Sequence, residues 1–410
     1  MLPRPEHCIS RKNISSSALK VLYRLDRAGY DAFLVGGGVR DLLLGRRPKD
    51  FDIATDARPE RARRLFRNSR IIGRRFRLVH VIFPDGMIEV STFRGDPDPE
   101  RQKRRPGELL VTSDNTWGTP REDAFRRDFT VNALFYRISD YAVIDYVGGL
   151  RDLERRTMRV IGDPDVRFRE DPVRMMRACE LAGRLGFDIE ARTQRGIRAN
   201  AGEIVKASPA RLTEELLELM TSGHSEPSLV WALELGLLDE MLPEAVDLLT
   251  DQASGAGFAE LLPTLDRWIG EGRQPGDAVL FALFLAPGLT NRRAALERKK
   301  SLSRRTLQRM AEEAVAELGG RFRLSRARTQ HLYWLLETFQ RICEPQPSGD
   351  ALYRLVARPA FAEALELFEL LSDATDSGRE ALEEWREAAH EVAHAPRPAK
   401  RRRRRRRRRR

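Results

Sequence analysis

The chain of 410 residues holds only three cysteines, Cys8, Cys179 and Cys343, far apart in sequence. An odd number without paired spacing excludes a disulfide framework and a cysteine metal site, and it fits a reducing cytoplasm. Long hydrophobic runs are missing as well. The most apolar stretch, residues 278–287, is far below the ~20 residues that span a bilayer. The opening Met-Leu-Pro-Arg-Pro-Glu-His lacks the apolar core of a secretory signal. A soluble, cytoplasmic protein with no membrane partner is expected.

What is plentiful is charge, at 33% of residues against roughly 25% in an average domain. Its sign is uneven. Lys400 and the ten arginines at 401–410 take eleven of the 73 basic residues, which leaves 62 against 61 acidic ones, so the tail carries nearly all of the net +12. Such a run repels itself and buries no apolar surface, so disorder and attachment to polyanions are expected over residues 396–410. The plainer alternative is a solubilising end.

The pattern along the chain changes near residue 150. Before it, strands are expected at 31–35, 49–54, 77–83, 87–93, 129–138 and 141–146, with helices at 13–25, 39–44 and 59–66. A polar, proline-bearing loop is expected from Gly95 to Thr119, carrying the basic cluster Arg101-Gln-Lys-Arg-Arg105. After residue 150 the strand signals largely vanish, and helices are expected at 172–185, 209–220, 228–237, 277–285, 306–318, 329–342, 351–356 and 360–371. The fold class is α+β, a small head with a mixed or antiparallel sheet followed by a helical arm. The expected divisions are a head at 14–150, a neck at 151–220, a body and tail at 221–395, and the arginine run.

Two stretches in the head carry chemistry. Leu34-Val-Gly-Gly-Gly-Val-Arg-Asp41 ends a strand in glycines and starts a helix, where backbone N–H groups face outward beside the guanidinium fork of Arg40. It lacks the third glycine of a dinucleotide fingerprint, and a hairpin soon replaces the repeated parallel units such a fold needs. Next, Asp50 and Asp52 stand two apart on an expected strand, hence on one face. Glu89 on a following strand is the best-placed third carboxylate. Oxygen ligands with no histidine nearby favour Mg²⁺ or Mn²⁺ over zinc. Taken alone, an Asp-x-Asp pair is more often a solvated strand end. Further on, Asp171, Arg174 and Arg177 recur every three residues on a helix start, where an intrahelical ion pair is the default reading.

Read together, these stretches resemble the class II nucleotidyltransferases, the superfamily of CCA-adding enzymes and bacterial poly(A) polymerases. The match runs through Leu34 to Asp41, Lys49-Asp-Phe-Asp52, Arg126-Arg-Asp-Phe-Thr-Val-Asn132, Tyr146-Val-Gly-Gly-Leu150 and Glu170-Asp-Pro-Val-Arg-Met-Met-Arg177. The resemblance implies a polymerase-β-like head, then helical neck, body and tail domains. It also implies that Gly37, Gly38 and Arg40 grip the triphosphate of ATP and that Asp50 and Asp52 bind two metal ions, with Glu89 as third carboxylate. Arg127, Asp171, Arg174 and Arg177 belong to the set that binds the incoming nucleotide in place of a template. One departure is Glu180, where many members carry arginine.

Within the superfamily, Gly73-Arg-Arg-Phe-Arg-Leu-Val-His80, Arg11-Lys-Asn-Ile-Ser and the basic C-terminus favour the polyadenylating branch, which extends RNA 3′ ends. RNA-decay proteins are expected as further partners of the tail. The alternatives are CCA addition to transfer RNA and, more distantly, an RNA-binding protein without chemistry. His390-Glu-Val-Ala-His394 matches a zinc-protease pentapeptide but has no third ligand in the residues that follow, so a solvated helix end is expected there.

Overall fold

The structure, a computed structural model, describes residues 1–73, 76–96, 109, 111, 115–250, 258–298 and 303–394. The basic cluster at 101–105, the arginine run, and Arg74 and Arg75 lie outside the described residues. Two compact units arise, one from Met1–Glu215 and Pro227–Met241, the other from Leu216–Glu226 and Leu242–Arg410. The expected division near residue 150 falls inside the first unit, so the expected head and most of the expected neck share one body.

In the first unit, helix α1 (Ser16–Arg27) starts at Ser15, whose hydroxyl accepts the Ala18 N–H. Ala18, Val21, Leu22 and Leu25 give it a buried stripe of helical spacing. Strand β1 (Ala32–Val35) is buried along its whole length and leads into α2 (Gly37–Leu43). Then follow β2 (Asp52–Thr55), α3 (Pro59–Leu65), β3 (Ser69–Ile72), β4 (Leu78–Phe83) and β5 (Gly86–Thr92). Helix α4 (Pro120–Arg126) opens with a reciprocal cap between Thr119 and Glu122. Strands β6 (Leu134–Arg137) and β7 (Val143–Asp145) complete a seven-stranded sheet of order β3-β4-β5-β2-β1-β6-β7.

Only β2 and β5 pair in parallel in that sheet; the other neighbours are antiparallel. The sheet is therefore mixed, as expected. Phe33, Val35, Ala54, Phe93 and Phe135 form a buried cluster on one face of it, and this core holds β1 and β2 beside each other where both approach the site.

Helices α5 (Gly149–Glu154), α6 (Pro164–Glu170), α7 (Val173–Leu185), α8 (Ala191–Asn200) and α9 (Pro209–Met220) follow. A two-stranded parallel pair, β8 (Thr157–Met158) and β9 (Asp188–Ile189), lies among them. Glu180 on α7, the departure from the family pattern, binds Arg184 one turn on at 2.6 Å.

The second unit is helical in its described residues. Its helix Asp277–Glu297 was expected to stop at 285, before Pro287, but it continues through that proline. Leu289 remains buried beyond it, and continued packing outweighs the one hydrogen bond a proline removes. In the same unit, Trp268 donates to Asp373 at 3.0 Å and Trp385 to the Ile342 carbonyl at 3.0 Å. The His390 and His394 rings sit 4.2 Å apart at the end of helix Arg379–His394. Among the described residues no helix is long and apolar enough to cross a membrane.

Candidate active site

Strand β1 delivers the chain to Gly36, whose φ of +73° suits glycine. A β-carbon there would lie 3.4 Å from Arg127 Nη1 and 3.9 Å from Asp52 Oδ2, so bare backbone separates a cationic from an acidic side chain. The Val39 and Arg40 N–H groups both donate to the Gly36 carbonyl, while those of Gly37 and Gly38 belong to the unpaired first turn of α2. At Gly38 a β-carbon would meet the Asp50 carbonyl at 3.1 Å. Its absence lets the loop before β2 pack against the helix and brings Asp52 up to the glycine turn.

Around this turn lies a cavity of about 270 Å³, with Gly36, Gly37 and Asp52 on one side and mostly arginines on the other. Arg127 donates to Asp123 Oδ2 through Nε and Nη2, at 3.1 and 3.0 Å, and its guanidinium lies 5.0 Å from the Phe135 ring centre. Arg94 holds the other oxygen of Asp123 at 3.0 Å. Burial alone pushes the Asp123 carboxyl up, but Arg127 and Arg94 outweigh it and hold the group below its ordinary range. One buried carboxylate thus orients two arginines.

The opposite wall comes from α6, α7 and α9. Arg174 donates to the Arg167 carbonyl at 3.2 Å, and burial, with Arg167 close by, pushes its guanidinium down to about 10. Arg177 pairs with Asp128 at 2.8 Å. Asp171 is gripped by both prongs of Arg211, at 2.6 and 3.1 Å. Facing this wall, the Asp52 carboxyl is pushed up to about 6 by the surrounding protein and then by Glu89 and Asp50, against the pull of Arg127 and Arg177. Its side chain stays open to solvent at the end of β2. The site has a crowded acidic edge and a strongly cationic wall.

The structure gathers six of the expected residues at this cavity: Gly37, Asp52, Arg127, Asp171, Arg174 and Arg177. Others stand differently. Arg40 is 2% exposed, with Nε 2.8 Å from Asp41 and Nη1 2.5 Å from Asn132. A β-carbon on Gly37 would meet its Nη2 at 3.3 Å, so this guanidinium supports the glycine turn from beneath. Gly38 serves packing against Asp50.

Asp50 was expected on the same strand as Asp52, but β2 begins at Asp52 and Asp50 lies in the irregular segment before it. The pairing of Ile53 with Val90 extends to bring Glu89 beside Asp52, yet Glu89 bonds His80 at 3.1 Å. Among the described residues no three His, Cys, Asp or Glu side chains converge as a metal-holding group. Asp52 thus stands exposed at the start of β2 with Glu89 and Asp50 as its acidic neighbours. The repulsion that Glu89 and Asp50 add to the effect of the surrounding protein on Asp52 is what a divalent cation would relieve, so the oxygen donors suit Mg²⁺ or Mn²⁺ in chemistry.

Arg94 and Arg211 were not anticipated. Neither has a local pattern that marks it, since each meets its aspartate across a long sequence separation.

Comparison with known proteins fits this geometry. Residues 32–159 match the poly A polymerase head domain, and residues 186–249 match the probable RNA and SrmB-binding site of polymerase A. The poly(A) polymerase I of Salmonella typhimurium is 38% identical over 382 residues, covering 90% of this chain and 81% of that protein. The chain belongs to the poly(A) polymerase family of class II nucleotidyltransferases. A CCA-adding enzyme of Bacillus velezensis is 34% identical over 253 residues, 61% of this chain and 62% of that one. Likeness to the poly(A) polymerase thus extends over far more of the chain. The crystal structure of the Bacillus stearothermophilus CCA-adding enzyme in complex with CTP superposes with a TM-score of 0.60 at 25% identity, over 90% of this chain and 81% of that one. The α+β nucleotidyltransferase fold and the membership of an enzyme family both stand on these matches.

Proposed function

We propose that this nucleotidyltransferase is a template-independent poly(A) polymerase that transfers AMP from ATP to RNA 3′ ends and releases pyrophosphate. The observation that carries the reading is the cavity in which a glycine turn and Asp52 face Arg127, Arg174 and Arg177. Phosphate oxygens suit the turn amides and the guanidinium forks, and an adenine edge suits Asp171 as acceptor and Arg174 as donor. The RNA 3′ oxygen attacks the α-phosphorus, the bond to the bridging β-oxygen breaks, and the hydroxyl proton leaves to solvent. Asp50 and Asp52 would hold the cations, with Glu89 adjacent; bound Mg²⁺ or Mn²⁺ supplies a lowered hydroxyl pKa and charge neutralisation at pyrophosphate.

Arg127 is fixed by Asp123 and needs no reorganisation when substrate arrives. Arg40 and Gly38 keep the turn and the Asp50 loop in register. We further assign the arginine run, outside the described residues, to attraction of RNA phosphates and of RNA-decay proteins in the cytoplasm.

The test is incorporation of labelled ATP into a short RNA with Mg²⁺. Asp52→Asn is expected to abolish it, and full retention would refute the assignment of Asp52. The second reading, CCA addition, is favoured by the head shared with the Bacillus enzymes. It would appear as CTP incorporation and a product that stops after three additions on transfer RNA transcripts.

A further inference from the structure

A second cavity, of about 400 Å³, opens on the first unit away from the arginine wall. Its lining includes Lys12, Asn13, Ser15, Arg46, Arg47 and Phe51, with no carboxylate among the lining residues. Ser10 caps the turn Arg11–Asn13 that presents Lys12, and Ser15 caps α1. Gly45, at φ +69°, turns the chain out of α2 so that Arg46 and Arg47 follow at the cleft. Arg46 is anchored by the carbonyls of Arg184 and Leu185 at 3.3 and 3.5 Å. Lys12 and Arg47 are exposed, and among the described residues neither has an ion-pair partner.

The cleft also touches the catalytic loop. Phe51 lines it half-exposed, and across a trans peptide its Cα stands about 3.8 Å from that of Asp52. An aromatic face between unpaired cations is the arrangement that takes a base and its flanking phosphates without reading sequence. A cleft built only for solubility would need neither the aromatic nor the anchored arginine.

We infer that this cleft holds the RNA strand just upstream of its 3′ end, with Lys12 and Arg47 on backbone phosphates and Phe51 offering a stacking face. This rests on the polyadenylation reading, in which a single strand must leave Asp52 along some surface. An acidic protein segment is the rival occupant. The cations alone would serve either, whereas the Phe51 face beside them suits a nucleobase and adds nothing for a run of carboxylates.

The test uses the full chain and a labelled oligoadenylate. For Lys12→Ala combined with Arg47→Ala, the KM for RNA is expected to rise on the order of tenfold, and the slope of log affinity against log salt to flatten by roughly 1.4, at ~0.7 per phosphate on a single strand. The KM for ATP is expected to stay in place, and charge-retaining Lys12→Arg with Arg47→Lys should restore RNA binding. A photoreactive base a few nucleotides from the 3′ end should crosslink to the peptide containing Phe51. Unchanged RNA affinity and salt slope in the double alanine variant would overturn the inference, as would loss of polyglutamate binding alone. Because the parent protein is assayed for AMP incorporation in the same experiment, failure of the polyadenylation reading would be seen separately.

Discussion

Arg211 closes a two-pronged ion pair on Asp171, Nη1 to Oδ1 at 2.6 Å and Nη2 to Oδ2 at 3.1 Å. The carboxylate keeps lone pairs free for a base, but its orientation is set by the arginine. Arg211→Ala is expected to raise the KM for ATP by about tenfold, or ~1.4 kcal/mol, and to narrow the preference for ATP over CTP. Arg211→Lys, with a single-point donor, should fall between. Steady-state kinetics with both nucleotides checks this, and an unchanged ATP-to-CTP ratio in Arg211→Ala would remove Asp171 from base choice.

Asp52 gives the pH dependence. Its carboxyl is pushed up from the ordinary range to about 6 by the surrounding protein, then by Glu89 and Asp50. The cation-binding form is the ionised one, so the affinity of the metal-free protein for Mg²⁺ should rise as pH climbs through 6. For stability the sign is opposite. A raised acid binds its proton more tightly when folded, so this contribution is present at low pH and lost as pH rises from about 4 to 6. Asp52→Asn should therefore melt higher than the parent at pH 7.5, and the gap should close towards pH 4. Mg²⁺ should raise the melting temperature of the parent and not of the variant.

Gly38 tests the packing that brings Asp52 to the glycine turn. A methyl group there would stand 3.1 Å from the Asp50 carbonyl, and overpacking of this kind costs about 1–3 kcal/mol. Gly38→Ala is expected to lose that much in urea unfolding and to lower incorporation further than the stability loss explains. Activity equal to the parent would show that the Asp50 loop tolerates displacement.

The arginine run is expected to act on RNA and not on nucleotide. Deleting residues 400–410 should weaken RNA binding and flatten its salt dependence while leaving ATP binding in place. Unchanged slopes would return the run to a solubilising role.

Much of the site was legible because its residues sit in short motifs whose local geometry is strong. A strand running into glycines marks the turn, and Asp171, Arg174 and Arg177 share one side of α7 and its start because their spacing is helical. Arg211 and Arg94 were not legible, since each acts through a contact made only on folding. The surroundings of Arg40 were not legible for a related reason: its place one turn into α2 puts it near the phosphate turn, while its burial against Asp41 and Asn132 arises only from tertiary packing. The strand expected from residue 49 begins at Asp52 because the Asp50 backbone is taken up by packing on Gly38. In the helical half, Pro287 read as a stop, while continued burial at Leu289 kept the helix going.

The central claim is that ATP is chosen and added repeatedly to an arbitrary RNA end. Each of the four nucleoside triphosphates is supplied singly, and CTP and ATP also together, with Mg²⁺, to an unstructured RNA and to a transfer RNA transcript, and product lengths are read on a sequencing gel. The expected result is a long ladder with ATP alone on both RNAs. Addition of C, C and A to the transfer RNA only, ending after three nucleotides, would contradict it.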